Sequence, residues 1–307
     1  MSRLKVVLNP EAGRGYAARI EPQIKKYLAD LGVEFDLVRT QGRGHAIELT
    51  QQALQDGYDV VVAVGGDGTS HEVVNGLMAG ASGPVAGTLA CIPAGSGNDF
   101  AATNGVPEDV RGACELLAAG GTRVVDVGRV TIDGRIRRYF DNTVGIGFDG
   151  LVTLEARNFK RLRGMLLYVP VVLKTIFATL QPMDVEILFD DEKIARTAMM
   201  IVVANGPREG HTFLVAPNAI CNDGYLDLVI VDTMPRLSML GILPAFMQGT
   251  HLKDPRVSEH RVRHVKVTSE QPLYLHVDGE ILCGEAHEVE FEILPTALRM
   301  IGRPTTE

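Results

Sequence analysis

The run Val61-Val62-Ala63-Val64-Gly65-Gly66-Asp67-Gly68-Thr69-Ser70-His71-Glu72 takes a β-branched stretch into glycines that flank an aspartate. Backbone N–H groups hold phosphate oxygens only when the chain comes within about 3 Å of them, and glycine removes the side chain that prevents this. Gly65, Gly66 and Gly68 suit such a turn, and Thr69 and Ser70 suit capping of the helix that follows. Asp67 would repel phosphate there unless it holds Mg²⁺, pairs with a lysine or arginine, or accepts a proton from an attacking hydroxyl. His71-Glu72 raises a second chemistry, a zinc protease, but that motif needs histidine again at the fifth place, which Asn75 occupies. His71 reads as a helix residue near the loop.

Two more glycine turns accompany the first. Asn9-Pro10-Glu11-Ala12-Gly13-Arg14-Gly15 follows an opening strand, and Pro93-Ala94-Gly95-Ser96-Gly97-Asn98-Asp99 follows a fourth. Three such turns on one sheet edge are hard to attribute to packing. The Gly-x-x-x-x-Gly-Lys-Ser/Thr pattern of P-loop enzymes is absent, so no catalytic lysine is indicated. Gly145-Ile146-Gly147-Phe148-Asp149-Gly150 fits Gly-x-Gly-x-x-Gly, yet it lies in a β-rich half rather than at a first βα turn, which weakens a dinucleotide reading.

The elements that must position these turns alternate. Strand-like runs at 5–8, 34–38, 60–64 and 85–92 are separated by helical patterns such as Ala46-Ile47-Leu49-Ala53-Leu54, which predicts βαβ units and a parallel sheet. Ligands of such sheets sit off the carboxyl ends of the strands, where Asn9-Pro10, Thr40, Gly65-Gly66 and 93–98 all fall. After Thr122 the grammar changes. A hairpin is expected from 124–132, a turn at Asp133-Gly134 and a return arm 135–144; strands at 185–189, 193–203, 225–231, 262–268, 273–277 and 289–294 then follow, as in an antiparallel sandwich. Two helical stretches, 165–180 and 237–248, interrupt them. The expected domains are therefore 1–123, α/β, and 124–296, a β-sandwich, with room for a last strand at 297–303 to return to the first.

With 307 residues, 46% hydrophobic and 22% charged, the chain has material for two globular domains. Its net charge of -8 argues against a nucleic-acid partner, which needs a basic footprint. Cys91, Cys114, Cys221 and Cys283 form no Cys-x-x-Cys pair, so neither a zinc site nor a disulfide framework is indicated. The start of the chain lacks the apolar run of a signal peptide, and a cytoplasmic location is expected. The 165–180 stretch is too short and too polar, with Pro170 and Lys174, to span a bilayer. Arg157, Lys160, Arg161 and Arg163 just before it could hold the chain against an anionic surface, or form a solvated basic turn.

Taken together, the three glycine turns resemble the diacylglycerol kinase catalytic-domain family, which includes bacterial lipid kinases and the sphingosine and ceramide kinases. The resemblance runs along nearly the whole chain, continuing through Gly145 to Gly150, Ala204-Asn205-Gly206, Asn222-Asp223-Gly224-Tyr225-Leu226-Asp227 and Asp278-Gly279-Glu280. It implies a nucleotide-binding α/β domain of the NAD kinase/diacylglycerol kinase type, a β-sandwich that receives the lipid, and γ-phosphoryl transfer from ATP, with Mg²⁺, to a lipid hydroxyl. By position the nucleotide would meet Asn9, Pro10, Glu11, Ala12, Gly13, Thr40, Gly65, Gly66, Asp67, Gly68, Thr69, Ser70, His71 and Ser96. The family's C-terminal Mg²⁺ site falls on the Asp223 carboxylate and the main-chain carbonyls of Ile220 and Tyr225. The base falls on Asp278 or Glu280, or else on Asp67. Without the resemblance, Asp278-Gly279 and Asp223-Gly224 would read as plain hairpin turns.

Ser96 stands where many relatives have threonine and His71 where asparagine is common; that wording leans toward sphingosine and ceramide kinases, whereas Asn98-Asp99-Phe100-Ala101 leans toward bacterial diacylglycerol kinases. The acceptor lipid is open between them. NAD kinase, which shares Gly-Gly-Asp-Gly-Thr, is a rival that would need a later Asn-Glu pair and its own glycine-rich segment, neither of which is present. A non-catalytic lipid-binding relative is another, although Asp67, Asp223, Asp278 and Glu280 are all retained. The expected partner is a lipid at the inner membrane face, met peripherally; a homodimer is left open.

Overall fold

The computed structural model describes residues 3–81, 83–156, 165–282 and 285–303. In chain order the elements are β1 (Leu4–Leu8), α1 (Tyr16–Asp30), β2 (Phe35–Arg39), α2 (His45–Gln55), β3 (Val60–Gly65), α3 (Asp67–Gly80), β4 (Thr88–Pro93), α4 (Asp99–Thr103), α5 (Val110–Ala119), β5 (Thr122–Ile132), β6 (Ile136–Phe140), β7 (Thr143–Gly147), α6 (Phe148–Ala156) and α7 (Met165–Lys174). They continue with β8 (Met183–Phe189), β9 (Glu192–Ala204), β10 (Leu226–Asp232), α8 (Arg236–Gln248), β11 (Val257–Val262), β12 (His264–Leu273), β13 (Leu275–Val277) and β14 (Ala286–Ile301). The chain divides into two units, residues 1–127 with 221–223 and 294–307, and residues 128–220 with 224–293.

In the first unit β2, β1, β3 and β4 lie side by side in parallel, with the last residues of β14 continuing the sheet beyond β4 through Arg299 opposite Thr88. Every residue of β3 and β4 is buried, as expected of strands covered on both faces. Helix α1 buries Ala17, Ile20, Ile24 and Leu28, the i, i+3, i+4 stripe of an amphipathic helix. Helices α2 and α3 approach closely because Gly76 and Gly80 leave no Cβ to strike Thr50 and Leu54. Glu72 on α3 binds the start of α2, accepting the amides of Gly44 (2.7 Å) and Ala46 (3.1 Å), so half of the His71-Glu72 pair is a helix cap.

The second unit is an antiparallel sandwich carrying a helical layer. One sheet runs β11-β10-β9-β7-β13, and β9 bends through its first half onto β8, which leads to β12 and β14. Alternation along β9 separates two cores: Ile201 and Val203 point between the sheets with Phe140, Leu228 and Phe291, while Met200, Val202 and Ala204 face Leu151, Val172, Ile176 and Phe246 of the helices.

Several details differ from the sequence reading. The 135–144 arm is two strands, β6 and β7, which part at Asp141-Asn142 to join different partners. The 262–268 run is likewise divided at Arg263, β11 pairing with β10 and β12 with β8. Among the described residues three α-helices, not two, accompany the strands: α6 is short and largely buried, so it shows no polar face. The 165–180 stretch is α7 followed by a π-helical turn over Thr175–Thr179. Finally, 289–294 and 297–303 belong to one strand, kinked at Thr296 (φ 52), whose amide is held by the Asp126 carboxylate at 2.7 Å.

Candidate active site

The first unit brings most of its predicted residues together at the carboxyl ends of β1, β3 and β4. Asn9 ties the first turn to α3: its Nδ2 donates to Thr69 Oγ1 (3.1 Å), its Oδ1 accepts the Glu11 amide (3.1 Å), and its own amide donates to the Val64 carbonyl. Ala12 and Pro10 complete that turn. A Cβ on Gly13 would collide with the Ala94 carbonyl, and Gly66 and Gly95 lie against each other's Cα. Gly13, Gly66 and Gly95 thus have a packing duty after all, because each lets one loop seat on the next. Thr40 lies buried at the end of β2, its amide on the Leu8 carbonyl.

Helix α3 begins earlier than expected. Its N-cap is Gly66, extended at φ -106 and without a side-chain cap, so Thr69 and Ser70 are inside the first turn rather than caps. Ser70 Oγ donates back to the Asp67 carbonyl at 2.9 Å. His71 is only 1% exposed and bonds with Asn75 one turn along α3. Gly68 and Ser96 are exposed.

Asp67 sits where the turns converge. Oδ2 accepts the Asn98 amide (2.7 Å) and Oδ1 the Phe100 amide (3.3 Å), and Gly97 has no Cβ to obstruct the carboxylate. Burial, reinforced by the neighbouring charge of Asp99, raises the Asp67 pKa from 3.8 to about 6 despite those amides. Beside it the Thr69 and Ser70 amides already donate to the Gly66 carbonyl (2.8 and 3.1 Å), which leaves the amides of Asp67 and Gly68 at the positive end of the α3 dipole without an acceptor within the helix. The arrangement can receive anionic oxygens and hold one carboxylate close to its own protonation point.

In the second unit Asp278 and Gly279 form a left-handed two-residue turn (φ 47 and 77) between Val277 and Glu280. The buried Asp278 carboxylate accepts three amides, from Asp141 (3.0 Å), Asn142 (3.1 Å) and Thr143 (2.9 Å), which is what splits β6 from β7. Its oxygens are thereby committed to the backbone, whereas Glu280 lies half-buried at the end of the turn. Asp223 falls in the first unit beside Cys221, while Ile220, 53% exposed, and Tyr225 fall in the second. Two arginines, Arg261 and Arg263, stack over the Tyr225 ring.

A cluster that the sequence did not disclose lies next to that turn. His276 Nε2 is 3.1 Å from Asp149 Oδ2 and 2.9 Å from Glu209 Oε1, and Thr143 Oγ1 donates to Glu209 at 3.3 Å. Burial and then the charge of Asp149 push Glu209 up to about 7. Burial also works to raise Asp149, but His276 and a bond from Glu209 hold it below its ordinary value. For His276, burial opposes protonation and the two carboxylates outweigh it. Among the described residues these three are the one group of His, Cys, Asp or Glu compact enough to hold a metal. The glycines around them explain the Gly-x-Gly-x-x-Gly spacing. Gly145 leaves room for Asp149 Oδ2 and His276 Nε2, Gly147 takes φ 83 to turn β7 into α6, and Gly150 lets α6 lie on the Tyr274 carbonyl. That spacing was the available signal, but it does not name a histidine so distant in sequence.

The same unit contains a cavity of about 300 Å³ lined by Gly147, Leu151, Thr179, Met183 and Tyr274. Val169, Leu173 and Phe177, four residues apart, each expose roughly two-fifths of their apolar surface. The basic residues Arg157, Lys160, Arg161 and Arg163 lie outside the described residues. Among the described residues no helix is long and apolar enough to cross a membrane.

Comparison with known proteins covers both units. The diacylglycerol kinase catalytic domain matches residues 3–130, and the YegS C-terminal NAD kinase beta sandwich-like domain matches residues 142–302. A diacylglycerol kinase of Staphylococcus epidermidis is 30% identical over 280 residues, 91% of this chain and 85% of its own. One of Bacillus subtilis is 29% identical over 282 residues, covering 91% and 90%. The crystal structure of a Bacillus anthracis chain proposed as a diacylglycerol kinase superimposes with a TM-score of 0.80 at 26% identity, covering 100% of this chain and 98% of that one.

Proposed function

Because this chain belongs to the diacylglycerol kinase catalytic-domain family, we propose that it is an ATP- and Mg²⁺-dependent lipid kinase that phosphorylates the hydroxyl of a membrane lipid such as diacylglycerol. The observation that carries the reading is Asp67, held by two amides at the start of α3 where three glycine turns meet, with its pKa raised to about 6. Phosphoryl transfer asks for positioning and charge neutralisation more than covalent chemistry, and this is a positioning site.

In the proposed assignment the turns at Asn9 to Gly13, Gly65 to Ser70 and Ser96, with Thr40, receive the nucleotide, and the Asp67 and Gly68 amides at the start of α3 neutralise phosphate charge. Mg²⁺, when bound, would supply positive charge to offset that of the phosphates. The carboxylate oxygens of Asp67 and Asp223 and the carbonyls of Ile220 and Tyr225 are hard donors of the kind it prefers, whereas the His276 cluster offers it a nitrogen. Glu280 orients the lipid hydroxyl and takes its proton as the new oxygen–phosphorus bond forms and the bond to the departing ADP breaks. We assign Glu280 this role over Asp278 because the Asp278 oxygens already accept three amides. The cavity beside Leu151 and Tyr274 supports an acyl-chain site near 165–180, and the exposed Val169, Leu173 and Phe177 support peripheral contact with the membrane face.

Transfer of label from γ-labelled ATP into monoacylglycerol, diacylglycerol, sphingosine, ceramide and phosphatidylglycerol in mixed micelles tests the reading and names the acceptor. Label in NAD instead would establish the NAD kinase alternative, and lipid binding with no turnover the non-catalytic one.

A further inference from the structure

The segment proposed to carry the base is held on a backbone that ordinarily resists its shape. Asp278 occupies the left-handed region at φ 47, and Gly279 follows at φ 77. The Asp278 side chain offsets part of that strain through its three amide bonds. Gly279 has a different anchor: its amide donates to His276 Nδ1 at 3.1 Å. A ring nitrogen that accepts an N–H carries no proton, so this contact fixes His276 as the neutral tautomer with hydrogen on Nε2. That Nε2–H lies between two carboxylates, 3.1 Å from Asp149 Oδ2 and 2.9 Å from Glu209 Oε1, aligned with neither alone.

We infer that His276 is a positioning residue for the Glu280 carboxylate, its ring locked by Asp149 and Glu209 so that Nδ1 fixes the Gly279 amide and, through it, the turn. This rests on the proposed role of Glu280.

The electrostatics pull the other way: Glu209 and Asp149 raise the His276 pKa well above its ordinary value and so favour a second ring proton, which burial opposes. The geometry decides for the neutral ring, because a proton on Nδ1 would be set against the Gly279 N–H that points at it. Glu209, pushed up to about 7, is then the member of the cluster that takes up a proton first. The charged groups that reach His276 are Asp149 from α6 and Glu209 from the segment after β9, while the Asp278 carboxylate, on its own turn, is directed to the amides of 141–143. A metal ion on Nε2 would require that nitrogen's lone pair, and metal-bound histidine normally donates from its other nitrogen; here that nitrogen accepts. Gly145, opposite His276 across the β7–β13 pair, completes the device by having no Cβ to displace the ring.

Two sets of measurements on the full chain test this. In the first, ¹⁵N-labelled histidine spectra and Gly279 amide exchange are recorded for the wild type, His276→Ala and His276→Asn. The wild type is expected to show an unprotonated Nδ1 and a protonated Nε2, unshifted by added Mg²⁺, with a protected Gly279 amide. Protection should be lost in His276→Ala and kept in His276→Asn, whose Oδ1 can take the place of Nδ1. A proton on Nδ1, a Mg²⁺-induced shift at Nε2, or a Gly279 amide indifferent to His276→Ala would overturn the inference. In the second, lipid phosphorylation by His276→Ala should fall about 100-fold in kcat with little change in KM, and His276→Asn should recover most of it. Equal losses in the two variants, or a loss in KM alone, would contradict positioning. Absence of phosphorylation by the wild type would refute the kinase reading, while the spectra and exchange would still decide the tautomer and the anchor.

Discussion

Replacing Asp67 by asparagine removes a charge that the fold holds at a cost. The carboxyl titrates at about 6 rather than 3.8 because burial and Asp99 disfavour its ionised form. At about 1.4 kcal/mol per pH unit, ionised Asp67 therefore costs the folded chain about 3 kcal/mol. The folded state binds this proton more tightly than the unfolded state. The associated stability is thus complete below about pH 4, falls as the pH rises from 3.8 toward 6, and is flat above that. Asparagine cannot titrate, and its one oxygen can accept the Asn98 amide but not also the Phe100 amide, a fixed loss of about 1–2 kcal/mol. Urea unfolding of both proteins should show the asparagine variant gaining about 2.5 kcal/mol on the wild type between about pH 4 and about pH 8. It should end near or above wild-type stability at the higher pH. Parallel pH profiles would refute the claim that the fold burdens this carboxylate. In the same preparations, label transfer from ATP to lipid should fall by at least about 100-fold. A near-normal rate would remove Asp67 from the proposed mechanism.

Other substitutions separate roles that lie close in the sequence. Glu280→Gln should lower kcat by about 10²–10⁴ with unchanged unfolding, whereas Asp278→Ala should lose about 2–3 kcal/mol of stability, because three amides lose their acceptor; equal stability of the two variants would contradict this division. Gly145→Ala places a methyl against Asp149 and His276 and should destabilise by about 1–3 kcal/mol in the same assay, and an unaffected midpoint would deny the close approach. Thr296→Gly should raise stability by about 0.5–1 kcal/mol, since a β-branched residue at φ 52 is released from a left-handed conformation; a loss would show that the threonine side chain matters more than its backbone.

Much of the architecture was legible in the sequence because its signals are local. The buried Val60–Val64 run, the Ala46-Ile47-Leu49-Ala53-Leu54 pattern of α2 and the glycine turns each announce themselves within a few residues. What escaped was decided by distant partners. Asp141-Asn142 looks like strand until the Asp278 carboxylate gathers its amides, and α6 has no helical polar face because it is buried against β13 and α7. The glycines of the phosphate-like turns invited a ligand explanation, yet Gly13 on Ala94 and Gly66 on Gly95 also satisfy one another, a contact that no spacing rule contains. In the candidate site, Asp67 was recognisable from its setting. Asp149, Glu209 and His276 were not, because three elements far apart in sequence converge on them. The split between Asp278 as a structural anchor and Glu280 as the proposed base likewise needed hydrogen-bond partners, not residue types.

The proposed reaction is tested most directly by incubating the chain with Mg²⁺-ATP and diacylglycerol in mixed micelles and identifying the lipid product by mass, alongside Glu280→Gln. A lipid gaining one phosphate is expected, at a rate that the variant nearly abolishes. No phosphorylated lipid from any acceptor in the panel, or a Glu280→Gln rate equal to that of the unaltered chain, would contradict it.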